Sequence, residues 1–305
     1  MIRLRHIAWI VFGSLALPAA AQSGGGAPDV AALRAAAERG NTLEQLILAG
    51  LYSQGRGVPK DDVQAAHWYR AAADLGDATA EFDLGVLYDA GQGVPKDDAQ
   101  AAIWYRKAAE QGNMDAAFNL AALYDAGQGV PVDAAQAAIW YRKAADKGMV
   151  TAQYNLGVFY DQGRGVPKDD AQAAVWWGKA AAQGHADAQF NLGDLYAQGR
   201  GVAEDDAQAA NWYRKAAEQG VHAAQYNLGL LYAQGHGVPK DLVEAYFWLA
   251  VAATVLPKGT DPYADTQTDF DQVRDVMGKQ ITADQRTSAQ ARARAWVAAH
   301  PVVAQ

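Results

Sequence analysis

The chain contains no cysteine. That excludes disulfide bonds, a thiolate nucleophile, a zinc–thiolate site and a thiol to lipidate after export. Serine is nearly as scarce: Ser14, Ser23, Ser53 and Ser288 are the whole set, and none lies in a Gly-x-Ser-x-Gly or Ser-x-x-Lys pattern. Basic residues are in deficit, with 26 Lys+Arg against 34 Asp+Glu and a formal charge of −8. General nucleic-acid binding needs a basic surface that displaces counterions, so that class is set aside. Past the N-terminal stretch, no apolar run is long enough to span a bilayer.

What is present begins with an export signal. In MIRLRHIAWIVFGSLALPAAAQS, Arg3 and Arg5 form a positive region, Ile7 to Leu17 an apolar core, and Ala19-Ala20-Ala21 a cleavage site before Gln22. Residues 1–21 are therefore expected to be a secretory signal peptide, and the mature chain to carry −10 and reside in a periplasm or outside the cell. Residues 22–39 are expected to hold a flexible lead-in (Ser23-Gly24-Gly25-Gly26) and an N-terminal capping helix. Half of the chain is hydrophobic, enough for a sizeable core.

The stretch LYDAGQGVPKDD (87–98) has a Gly-x-Gly followed by lysine, which invites a phosphate-cradling reading. Repetition decides against it. Tyr52, Tyr88, Tyr124, Tyr160, Tyr196 and Tyr232 are spaced by 36 residues without insertion, and a Gly-x-Gly loop follows each one. The lysine becomes Val132 and Glu204 in two copies. Six copies in register are scaffold, and a phosphate ligand is not exchanged for glutamate.

The loop reads as punctuation between helices. A helix ends after the tyrosine, glycine supplies the left-handed cap, and proline prevents continuation. An aspartate then opens the next helix with glutamine or glutamate three residues on: Asp61/Gln64, Asp97/Gln100, Asp133/Gln136, Asp169/Gln172, Asp205/Gln208, Asp241/Glu244. These are expected to be capping boxes, each worth on the order of 1 kcal/mol. The final helix (282–299) carries its own, Thr282/Gln285, and its apolar side is expected to cover the last repeat.

Each unit holds two helices. In AQYNLGVFY, Ala152, Leu156, Phe159 and Tyr160 form one buried stripe. In DAQAAIWYRKAAEQG, Ala101, Trp104, Ala108 and Gln111 share one face and Ala102, Tyr105 and Ala109 the next. The tryptophan column Trp68, Trp104, Trp140, Trp176, Trp212, Trp248 fills gaps between units, and Gly40, Gly76, Gly112, Gly148, Gly184 and Gly220 end the second helix. Neither helix buries its apolar face alone, so stacking is obligatory.

The unit G-x-A-x-A-Q-[FY]-N-L-G-x-x-Y-x-x-G-x-G-V-P-K-D-x-x-x-A-x-x-W-Y-R-K-A-A resembles the Sel1-like repeat, a relative of the tetratricopeptide repeat. Its Leu-Gly-x-x-Tyr core stands at Leu84–Tyr88, Leu156–Tyr160, Leu192–Tyr196 and Leu228–Tyr232, with Ala121 replacing the glycine in one copy. The resemblance implies an all-α fold, a right-handed α-solenoid of helix-turn-helix repeats with a 36-residue period over residues 40–255, followed by a C-terminal helical cap over 256–305.

Candidate chemistry is thin. The histidines of the mature chain, His67, His185, His222, His236 and His300, occupy different repeat positions and form no H-x-x-x-H pair, so no metal site and no cofactor are expected. Arg106–Glu110, Arg142–Asp146 and Arg214–Glu218 read as i, i+4 pairs on an exposed face. The Trp-Tyr-Arg-Lys block reads as a solvated face over a packed one.

Two sets of residues are candidates for binding a partner. The asparagine column Asn119, Asn155, Asn191 and Asn227, with Asp83 in the first copy, either satisfies backbone groups between units or hydrogen-bonds an extended peptide. Positions that differ between copies can carry specificity: one column is Val86, Ala122, Val158, Asp194, Leu230, and another is His67, Ile103, Ile139, Val175, Asn211, Phe247.

The resemblance implies a non-enzymatic, exported scaffold that binds a protein or peptide partner, as adaptor or regulator in the cell envelope. Two alternatives stand beside it. Some cysteine-rich members of the family are described as β-lactamase-like hydrolases, though this chain lacks their cysteines; and exposed Tyr and Trp suit a polysaccharide-handling module.

Overall fold

The computed structural model describes residues 29–254 and 264–300. The signal peptide, the Ser-Gly lead-in, residues 255–263 of the C-terminal region and the last five residues lie outside the described residues.

Every regular element among the described residues is a helix. A short α1 (Val30–Glu38) precedes six pairs in which a first helix, A, is followed by a second, B. They are α2 (Thr42–Gln54) with α3 (Asp62–Asp74), α4 (Ala78–Ala90) with α5 (Asp98–Glu110), and α6 (Met114–Ala126) with α7 (Ala134–Asp146). Then come α8 (Val150–Gln162) with α9 (Asp170–Ala182), α10 (Ala186–Gln198) with α11 (Asp206–Glu218), and α12 (His222–Gln234) with α13 (Leu242–Thr254). Two helices, α14 (Ala264–Gly278) and α15 (Ala283–Ala299), complete the chain. The fold is an α-solenoid of stacked helix pairs. It divides into two compact units: the described residues up to Phe159 with Gly163–Pro167, and Tyr160–Gln162 with those from Lys168 onward.

Each junction is built as the repeat spacing requires. Gly91 ends α4 in the left-handed conformation (φ 68°) and its N–H returns to the Leu87 carbonyl. Asp97 then starts α5, its Oδ1 accepting from the N–H groups of Ala99 and Gln100 at 3.0 Å each. The same cap opens α3, α7, α9 and α11. The reciprocal half of the expected capping box is absent at Asp97. Its own N–H is already donated, at 2.9 Å, to the Tyr88 carbonyl of the preceding helix, so the glutamine has nothing to cap. Among the described residues a complete box closes at Thr282/Gln285.

The second glycine of the loop has a different task. At Gly129 (φ 67°) a β-carbon would stand 2.2 Å from the carbonyl carbon of Asp98, at the start of the previous B helix. Gly93 meets Asp62 the same way in the first unit, and Gly201 meets Asp170 in the second. The loop therefore lies directly on the repeat before it, and the Gly-x-Gly pattern is a stacking contact between backbones.

The B helices bury both predicted faces: Ala101, Trp104 and Ala108 on one side, Ala102, Tyr105 and Ala109 on the other, are interior. Gln111 is exposed, but its Nε2 reaches back to the Gly76 carbonyl at 3.1 Å and to Glu81 at 2.8 Å. In the second unit α15 lies on α13. Trp296 packs edge-on against Trp248 at 6.0 Å, Gln290 donates to the Tyr246 hydroxyl at 2.6 Å, and Arg292 pairs with Glu244 at 2.9 Å. No described helix is long and apolar enough to cross a membrane.

Candidate interaction surface

The B-helix tyrosine ties neighbouring repeats together. Tyr105 lies flat against Gly85 of its own A helix, where an added β-carbon would stand 2.6 Å from the ring. Its hydroxyl end faces Asp89 and, in the next repeat, Asn119. Burial first, and then the Asp89 charge, raise its pKa above the ordinary phenol range. Tyr141 meets Asn155 in the same way. In the second unit Tyr213 donates to Asp194 at 2.6 Å, and the Asn227 amide reaches the same carboxylate oxygen at 3.4 Å. In the first copy the partner of Tyr69 is Asp83, whose carboxyl burial pushes up to about 8.

This placement bears on the candidate residues. Asn119 is fully enclosed; Asn155, Asn191 and Asn227 are half-buried. Val86, Ala122 and Val158 are interior, while Asp194 and Leu230 are half-buried. Variation in this column therefore does not mark a freely accessible surface at Val86, Ala122 and Val158, which are interior, whereas Asp194 and Leu230 are partly exposed. The second variable column behaves differently. Ile103 and Ile139 in the first unit are each 48% exposed, and Val175 in the second is 49% exposed. Phe247, at the same position of the last B helix, is buried, with the Arg292 guanidinium 4.5 Å above its ring.

The arginine reading also changes. Arg106 and Arg214 do not close the expected i, i+4 pairs; they donate to the hydroxyls of Tyr124 and Tyr232 on the following A helix, eighteen residues on, as Arg34 and Arg70 do to Tyr52 and Tyr88. The adjacent lysines fold onto the tryptophans, with Nζ 3.8 Å from the Trp104 centroid at Lys107 and 3.9 Å from that of Trp140 at Lys143. The aromatic-basic block is thus a set of contacts within the solenoid.

One functional column was not anticipated. Gln45, Gln153, Gln189 and Gln225 are buried, and each donates its Nε2 to the carbonyl eight residues earlier, at the end of the preceding helix, at 3.0–3.1 Å. The Ala-Gln pair of the motif carried this signal. Glu81 occupies the same position on α4 and instead accepts from Gln111, with burial raising its pKa.

The histidines contact different partners. His185 is the N-cap of α10, its Nδ1 accepting from Ala188 at 3.3 Å, and burial lowers its pKa. His222 contacts Gln225, and His236 lies 3.9 Å from Asp206. Among the described residues no group of three His, Asp or Glu is arranged to hold a metal ion.

Comparison with known proteins fits this geometry. The Sel1 repeat family model matches at residues 45–77, 78–113, 115–149, 150–185, 186–221 and 222–254. A crystal structure of a Sel1 repeat protein from Oxalobacter formigenes is 36% identical, with a TM-score of 0.58, over 78% of this chain and 68% of that one. The protective antigen c5321 of uropathogenic Escherichia coli, described as displaying an SLR fold, is 32% identical over 88% of this chain and 71% of that one, with a TM-score of 0.39. A sel1 repeat protein from Klebsiella pneumoniae subsp. pneumoniae is 26% identical over 68% and 98%, with a TM-score of 0.37. No curated protein matches the chain.

Proposed function

Because the chain belongs to the Sel1 repeat family, we propose that it is an exported, non-enzymatic scaffold that binds a protein partner in the cell envelope. Sel1 repeats are protein–protein interaction modules, and the N-terminal segment with Arg3, Arg5 and Ala19-Ala20-Ala21 supports export.

The observation that carries the reading is the pair Ile103 and Ile139. They stand at the same position of successive B helices in the first unit and are about half exposed, while the other large apolar side chains of those helices, Trp104, Tyr105, Trp140 and Tyr141, are interior. Large apolar side chains held at regular intervals on a rigid support suit a protein surface. The buried polar groups, by contrast, are spent on ties between helices: Gln153 to the Ala145 carbonyl, Arg106 to Tyr124 and, in the second unit, Asn227 to Asp194.

Affinity capture from envelope extracts with residues 22–305 tests the proposal. A partner retained by the wild-type chain and lost when Ile103 and Ile139 are both changed to Asp supports it. Retention of nothing beyond a control resin, together with turnover of a chromogenic β-lactam by the purified chain, contradicts it.

A further inference from the structure

The arginine–tyrosine contact recurs along the chain and is broken at one repeat of the second unit. Arg70 stands over Tyr88, Arg106 over Tyr124 and Arg214 over Tyr232, with guanidinium carbons 5.4–5.7 Å from the ring centroids and an N–H donated to each hydroxyl. On α9 the position of that arginine is Gly178. A β-carbon built there meets nothing within 4 Å, so the place of the missing side chain is open. Tyr196, the ring it would cover, is half-buried, and among the described residues nothing hydrogen-bonds its hydroxyl. The preceding residue deviates too: Trp177 replaces the tyrosine, and the Asn191 amide nitrogen it faces in the repeat pattern is buried without an acceptor.

We propose that the gap left by Gly178 beside Tyr196 is a notch that receives an arginine side chain from the partner protein. The inference rests on the scaffold reading and names the chemistry of its partner. The chain itself shows what fits: a guanidinium that lies over the ring and donates to the phenol oxygen. A guanidinium does both, whereas a compact ammonium does not present the same planar fork. The neighbouring cations are occupied. Lys179 lies 3.6 Å from the Trp176 centroid, and Arg200 is held by Asp161 and Asp170. Asp187 and the half-buried Asp194 of α10 add negative charge to a chain of formal charge −8, so an incoming cation meets no uncompensated positive group.

The test uses the full mature chain with isotope-labelled tyrosine and N-acetyl-arginine amide as probe. The Tyr196 ring resonance, identified by its loss in Tyr196→Phe, is followed through a titration in the millimolar range expected of one such contact. A saturable shift of this resonance, absent with N-acetyl-citrulline amide and about tenfold weaker in Gly178→Arg, is the expected result. Gly178→Arg folds, because sister repeats carry arginine there. Absence of a saturable shift, an equal response to the citrulline probe, or wild-type binding by Gly178→Arg overturns the notch. The two claims fail separately: a Gly178→Arg chain that still captures the envelope partner removes the notch and leaves the scaffold, and a wild-type chain that captures nothing removes the scaffold whatever the titration gives.

Discussion

Gly129 lies on Asp98 so closely that a single methyl group would stand 2.2 Å from the aspartate carbonyl carbon. The loop of one repeat thereby rests on the first turn of the helix two elements earlier, and the close approach fixes the distance between successive repeats. Gly112 also has positive φ, at 92°, but a β-carbon there meets nothing within 4 Å.

The two glycines separate backbone strain from stacking. Gly112→Ala is expected to cost about 1–2 kcal/mol through the left-handed conformation alone. Gly129→Ala carries the same penalty and also forces two backbones apart, so a loss of about 3 kcal/mol or more is expected. Urea unfolding of both variants measures the difference. Equal losses would mean that the loop contact contributes nothing.

Asp83 makes stability depend on pH. Its folded-state pKa is raised to about 8, while an unfolded aspartate titrates near the ordinary value of about 3.9. Between these limits the folded chain holds a proton that the unfolded chain releases. Stability from this group is therefore fully present below the lower limit and is lost as pH rises, by up to about 1.4 kcal/mol per unit. Asn119, Asn155, Asn191 and Asn227 occupy this position in four of the other repeats, so Asp83→Asn should flatten the dependence and raise stability at pH 8. Thermal melts of both chains from pH 5 to pH 9 check this; a variant with the wild-type slope would remove Asp83 as the cause.

Gln225 is completely buried and donates to the Ala217 carbonyl at 3.0 Å. Gln225→Leu keeps the volume and leaves that carbonyl without its donor, at an expected cost of about 1–3 kcal/mol. Glu81→Gln should act in the opposite sense, by about 1 kcal/mol, because it supplies a donor where Gln45, Gln153, Gln189 and Gln225 have one and removes a buried carboxyl. Chemical denaturation of the two variants gives the signs.

Most of the architecture was legible because the sequence repeats it. A 36-residue period with fixed glycine and aspartate positions locates the loops and the starts of the B helices locally, and the caps at Asp97 and Gly91 fall where the loop places them. Contacts between repeats were less legible. Arg106 and Glu110 have the spacing of a helical ion pair, but only the stacked geometry brings the Tyr124 hydroxyl within reach. The buried glutamines were present in the Ala-Gln pair of the motif, but their acceptor, a carbonyl eight residues earlier on the preceding helix, shows only in the packed geometry. The column Val86, Ala122, Val158 was read as surface because it varies; the interior accommodates those changes. The exposed Ile103 and Ile139 were visible in the sequence as apolar members of a variable column, and the structure adds their exposure.

If each helix pair is stable only through the pairs it touches, damage at one junction must spread to its neighbours and fade with distance along the chain. Native-state hydrogen exchange of Gly129→Ala against the wild type measures this directly. Loss of amide protection concentrated in α5, α6 and α7, falling to wild-type values toward α2, is the expected result. An even loss of protection over the whole chain would point to a single cooperative globule and contradict the stacked-repeat account.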